Sequence, residues 1–149
     1  MRVIDDLADP KDAPDSPRVT VLVLEDDSVA AAKLTALLQQ ASMVPVTAAS
    51  LIEARALLDE HRFDAAVIDV NLPDGSGLSL VPLLQAAEHS AACVVLTSAE
   101  DHGVVRQAVE LGVTQFLRKP ATVQQIRQAL GMALTRSRMV RGWLDKPNA

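Results

Sequence analysis

Three acidic residues stand together at Glu25, Asp26 and Asp27, and a single aspartate stands at Asp69. A hydroxyl pair follows at Thr97-Ser98, and a cation, Lys119, precedes Pro120. Each group closes a short apolar run: VTVLVL at 19–24, AAVI at 65–68, AACVVL at 91–96 and the weaker VTQFL at 113–117. Carboxylates gathered in one place repel and raise one another's pKa unless a counter-charge joins them. A hard divalent cation answers that need, and Mg2+ takes carboxylate and carbonyl oxygens, with water completing its octahedron. An ammonium such as Lys119 suits a phosphoryl oxygen, and a hydroxyl such as Thr97 can donate to another. A carboxylate nucleophile, a metal, a hydroxyl and an ammonium are the parts that phosphoryl transfer to an aspartate needs.

These groups can act together only if the ends of the apolar runs meet. Runs that are almost wholly apolar read as strands buried on both faces. A further strand is expected at 44–48 (VPVTA), where Pro45 lacks a ladder donor and so belongs at a sheet edge. Helical spacing fills the gaps between strands. Over 28–40 the residues Leu34, Leu37 and Leu38 share a face, with Asp27 as the N-cap rather than a ligand. Ser50 with Glu53 has capping-box spacing and opens a helix to about residue 61. Further helices are expected over 78–88 and 101–111, the latter stopped by Gly112. Thr122 with Gln125 opens the last, whose stripe is Ile126, Ala129, Leu130, Ala133 and Leu134. Strict alternation of strand and helix implies an α/β fold, a parallel sheet with helices on both faces. Right-handed crossovers make it doubly wound, with its ligand site at the carboxyl ends of the strands. The four chemical groups sit at those ends.

The stretches VLVLEDD at 21–27, AAVIDVNLPDGSGL at 65–78, VVLTSAE at 94–100 and FLRKP at 116–120 resemble a response-regulator receiver domain of two-component signalling, the CheY-like family. The resemblance covers residues 18–135 with motif order and intervals preserved. It implies a flavodoxin-like (βα)5 three-layer sandwich with a five-stranded parallel sheet in the order 2-1-3-4-5. It makes Asp69 the phosphoacceptor, served by a partner histidine kinase, a phosphotransfer protein or a small phosphoryl donor. Mg2+ would be held by Asp26 directly, by Glu25 through water, by Asp69, and by the backbone carbonyl of Asn71. Thr97 and Lys119 match the residues that bind the phosphoryl oxygens, and Lys119–Pro120 matches the family's cis peptide. Thr97 and Phe116 match the switch pair that moves on phosphorylation and alters the surface offered to an output protein or domain. Two positions depart from the common pattern: Glu25 stands where many members have Asp, and Phe116 where Tyr is frequent.

Other classes fit less well. A receiver-like interaction module that is not phosphorylated would not need every site residue. A phosphatase- or dehalogenase-like hydrolase carries its DxD-type nucleophile early in the chain, whereas Asp69 closes the third strand. The domain is thus expected to be a switch that assists its own phosphorylation, not an enzyme.

The formal charge of −5 and an aromatic content of 2% leave no material for a general nucleic-acid-binding surface. No apolar run reaches the ~20 residues that span a bilayer. A single cysteine, Cys93, excludes an internal disulfide and reads as a buried small hydrophobe. A cytoplasmic setting follows as the expectation. His61, His89 and His102 lack ligand spacing and are expected on the surface.

Residues 1–17, with five Asp and three Pro, read as a flexible acidic leader of net charge −3. Residues 136–149 carry net +3 and read as a basic tail or an extension of the last helix. Met139, Val140, Trp143 and Leu144 offer that segment an apolar seam for a partner or a homodimer.

Overall fold

Side chains that alternate between two buried faces explain the architecture of the computed structural model, which describes residues 18–86, 88–98 and 102–144, the side chains of 102 and 138–144 excepted. Thr20–Leu24 (β1), Val44–Ala48 (β2), Ala65–Asp69 (β3), Ala92–Thr97 (β4) and Gln115–Arg118 (β5) form one sheet. Its order is β2-β1-β3-β4-β5 and every pairing is parallel. Successive side chains along a strand point to opposite faces. Leu22, Leu24, Ala66, Ile68, Cys93 and Val95 accordingly pack into one core layer, and Val21, Val23, Ala65, Val67, Ala92, Val94 and Leu96 into the other. Both faces are dry, so neither needs polar residues. Pro45 lies in β2, an edge strand, where its missing N–H costs no ladder bond.

One layer is covered by Ser28–Gln40 (α1) and Val123–Leu144 (α5), whose buried faces include Leu34, Leu38, Ile126 and Leu130. The other is covered by Leu51–Glu60 (α2), a 3-10 turn Gly77–Leu80 running into Val81–Gln85 (α3), and His102–Glu110 (α4). The caps match the sequence patterns. The Asp27 carboxylate accepts from the backbone of Val29 at 2.9 Å and Ala30 at 3.2 Å. Thr122 and Gln125 cap each other reciprocally, at 3.1 and 2.9 Å. Gly112 takes φ 86°, the left-handed position that ends α4.

Three details differ from expectation. The helix expected over 78–88 is a 3-10 turn and five helical residues, stopping where Ala86 becomes extended. Beyond Leu84 the sequence has no large apolar residue to hold another turn on the sheet. A two-stranded hairpin, Asn71–Leu72 with Gly75–Ser76, follows β3 and was not anticipated. His89 is buried, not exposed: its Nδ1 accepts the backbone N–H of Phe63 at 3.1 Å and its ring lies 5.9 Å from that of Phe63. His89→Phe leaves that buried amide unpaired and is expected to cost about 1–3 kcal/mol in urea unfolding, with His89→Asn recovering part of the loss.

The last helix continues to Leu144, through the start of the segment read as a tail. The leader and residues 145–149 lie outside the described residues, as do the side chains of the Met139-to-Leu144 seam. Among the described residues no helix is long and apolar enough to cross a membrane.

Candidate functional site

Because all five strands run the same way, their carboxyl ends share one edge of the molecule. Leu24 pairs with Ile68, Asp69 with Leu96, and Thr97 with Arg118, so Glu25, Asp69, Thr97 and Lys119 come up side by side. Three bonds carry the ladder past the strand ends: Glu25 N to Ala48 O at 3.0 Å, Val70 N to Leu96 O at 3.1 Å, and Lys119 N to Thr97 O at 2.7 Å. The backbone under each functional group is therefore fixed. Neighbouring strands lie about 4.8 Å apart, which puts the Lys119 backbone roughly 10 Å from that of Asp69 across β4. A four-carbon stem spans that gap. Its Nζ sits 2.6 Å from Asp69 Oδ2 and 3.6 Å from Glu25 Oε1.

Ligand atoms of Glu25, Asp26 and Asp69 all lie within 4.8 Å of one another. Asp69 and Glu25 are buried and Asp26 is exposed, so the cluster has one face toward solvent. Burial pushes the Glu25 carboxyl from its usual 4.5 up to about 7. The bond from Asp27 N to Glu25 Oε2, at 3.1 Å, and the charge of Lys119 pull the other way, while the Asp69 carboxylate adds to the rise. Burial also works against the Lys119 charge, but its bond to Asp69 and the attraction of both carboxylates outweigh this and hold its pKa above the usual. One ammonium does not neutralise this cluster. A donor set of three carboxylates, one of them raised by burial and by a neighbouring carboxylate to protonate near neutrality, fits a hard cation.

The phosphoacceptor candidate is held from two sides. Its Oδ2 takes the Lys119 ammonium, and its Oδ1 accepts the backbone N–H of Asn71 at 3.1 Å. Asn71 begins the hairpin, and its side chain is exposed. Gly77, just after the hairpin, presses against β3: a Cβ there would fall onto the Asp69 carbonyl oxygen and lie 2.6 Å from Ile68 Cγ2. Thr97 is buried at the edge of the site, yet its hydroxyl donates to the Ser98 carbonyl at 3.3 Å rather than to Asp69. Phe116 is half-buried and packs against the layer that holds Val95 and Ala108. The Lys119–Pro120 bond is cis. An apolar groove of about 520 Å3 opens beside the carboxylates, between α1 and the start of α5, lined by Val29, Leu34, Ala121, Val123 and Ile126 as well as Glu25 and Lys119.

Sequence reading missed Asp74. Its carboxylate accepts from Leu51 N at 2.9 Å and Ile52 N at 3.1 Å, the first turn of α2. Those bonds, that from Leu51 first, hold its carboxyl below the usual carboxylate range. The only local signal is a turn acid in NLPDG; its partners are more than 20 residues away.

Comparison with known proteins gives one consistent result. A model of the response regulator receiver domain matches residues 21–131. The photosynthetic apparatus regulatory protein RegA of Cereibacter sphaeroides is 31% identical over 111 residues, 74% of this chain and 60% of that protein. This chain thus spans less than two thirds of the length of the curated relatives it matches first. Among solved structures, a putative response regulator from Chloroflexus aurantiacus J-10-fl has a TM-score of 0.71 at 27% identity, covering 80% of this chain and all of that one. A response regulator protein from Burkholderia pseudomallei, solved with a phosphorylated aspartic acid, calcium ion and citrate, has a TM-score of 0.68 at 28% identity, covering 86% of this chain and 75% of that one.

Proposed function

The chain belongs to the response regulator receiver domain family, and from that membership we propose that Asp69 is its phosphoacceptor and that Glu25, Asp26, Asp69 and the Asn71 carbonyl hold Mg2+. The observation that carries this reading is the Lys119 ammonium on Asp69 beside a three-carboxylate cluster that one cation leaves under-neutralised. The relative with a phosphorylated aspartate and a calcium ion supports it.

In the proposed step an Asp69 oxygen attacks phosphorus, and the bond from phosphorus to the donor breaks with its electron pair leaving on the donor. A phosphohistidine of a histidine kinase or phosphotransfer protein, or a small acyl phosphate, serves as donor. The bound metal would supply positive charge against the transferring phosphoryl oxygens. Lys119 is placed to take one of those oxygens as it releases Asp69, and Thr97 to take another after leaving the Ser98 carbonyl. The phosphoryl group carries roughly −1.5 to −2 charges at neutral pH and replaces the single charge of the Asp69 carboxylate, so the site gains about one negative charge. Thr97 and Phe116 then shift together and change the surface offered to an output protein. The apolar groove beside α1, where Val29 is 61% exposed, is the approach we assign to the donor protein. In this reading the domain is a cytoplasmic switch, not an enzyme with turnover on a separate substrate, and it makes no direct contact with nucleic acid.

Incubation with acetyl phosphate and Mg2+, followed by intact-mass analysis, tests the proposal. One phosphoryl adduct, abolished by a chelator, is expected. Absence of adduct and of Mg2+ binding would overturn it in favour of a phosphorylation-independent interaction module, and steady donor turnover would make the chain an enzyme.

A pH dependence follows from Glu25. Its pKa is raised in the folded chain, so its contribution favours folding below about 4.5 and fades as pH rises through about 7 in the metal-free protein. Metal must expel that proton. Apparent Mg2+ affinity is therefore expected to weaken toward about tenfold per pH unit below 7 and to level off above it. Calorimetry in buffers of different ionisation enthalpy would register the released proton.

A further inference from the structure

We propose that Asp74 is a positioning residue for the phosphoacceptor, holding Asp69 in place through the hairpin that joins them; this rests on the reading of Asp69 given above. The first N–H groups of a helix have no partner within it. In α2 the Ser50 hydroxyl takes the N–H of Glu53, at 3.2 Å, and the two oxygens of Asp74 take those of Leu51 and Ile52. One bond would leave the hairpin tip free to pivot. Two bonds to successive amides of a rigid helix fix its orientation. The tip also lies flat on α2: Gly75 takes φ 142°, and a Cβ there would stand 3.0 Å from Leu51 Cδ1.

The other end of the hairpin carries the chemistry. Gly77 N bonds Val70 O at 2.8 Å and closes the loop, and Asn71 N holds Asp69 Oδ1. Lys119, which holds Oδ2, stands on the sheet, but Asn71 is only as fixed as the hairpin beneath it. Releasing the tip therefore loosens one of the two donors that aim the nucleophile. Reaction rates are sensitive to misplacement of that kind. The coupling is reciprocal, so a phosphoryl group on Asp69 is felt at the amides of Leu51 and Ile52.

The test compares wild type with Asp74→Ala and Asp74→Asn, both at an exposed position. Phosphorylation by acetyl phosphate is timed at saturating Mg2+, and the amides of Asn71, Leu51 and Ile52 are followed by nuclear magnetic resonance and hydrogen exchange without donor. Asp74→Ala is expected to slow phosphorylation by about three- to tenfold, to shift the Asn71 amide resonance, and to speed exchange at Leu51 and Ile52. Asp74→Asn, with one acceptor oxygen, should fall between. Faster exchange at 51 and 52 with an unmoved Asn71 resonance and a wild-type rate would overturn the proposal, leaving Asp74 a helix cap. Failure of wild type to take phosphate would instead condemn the reading of Asp69, while the Asn71 resonance would still decide the positioning.

Discussion

Asp69→Asn is expected to take up no phosphoryl group under conditions where wild type forms one adduct. The substitution keeps the shape of the side chain and an oxygen for the Asn71 amide, but an amide oxygen is too weak a nucleophile to displace a phosphoryl leaving group. The fold should survive, because the loss of the bond to Lys119 is offset by relief of repulsion with Glu25, whose pKa the Asp69 charge helps to raise. Intact mass after acetyl phosphate treatment reads the first point, and a urea midpoint near that of wild type reads the second. An adduct persisting in a folded Asp69→Asn protein would place the phosphoacceptor elsewhere. Persistence is not expected at Asp26, which is exposed, whereas the Lys119 ammonium stands on Asp69 and beside Glu25.

Gly77→Ala is expected to be the most damaging single-methyl change near the site. The added carbon would meet the Asp69 carbonyl oxygen and Ile68 Cγ2, and both belong to the central strand of a sheet dry on both faces. Neither can swing aside as the end of a flexible side chain would. Overpacking of this kind typically costs about 1–3 kcal/mol. The cheapest relief is for the segment after the hairpin to lift off β3, which breaks the bond from Gly77 N to Val70 O. Lower stability in urea should thus come with slower phosphorylation, since the displaced hairpin carries the Asn71 amide. A variant that phosphorylates normally at reduced stability would show the strain absorbed elsewhere.

Much of this is legible in the sequence alone. Apolar runs of uniform burial identify strands covered on both sides, and the edge placement of β2 follows from Pro45 alone. The capping patterns at Asp27, Ser50 and Thr122 are local, so their donors and acceptors lie within a few residues and can be read in one dimension. The convergence of Glu25, Asp69 and Lys119 follows from strand direction. What escaped depends on contacts between distant segments. The acceptor role of His89 toward Phe63 spans 26 residues, and nothing around His89 distinguishes it from a surface histidine. Asp74 reads as an ordinary turn residue until α2 is laid beside it.

At rest, Lys119 is committed to Asp69 and the Thr97 hydroxyl to the carbonyl beside it. Under the proposed mechanism both must change partners before the output surface appears, so the resting domain seldom presents that surface unprompted. A competent fraction of about 1% would weaken an output partner's apparent affinity about a hundredfold until phosphate arrives. Two engaged side chains thus set the noise floor of the signal, and the contrast a partner can read is bounded by how firmly they hold.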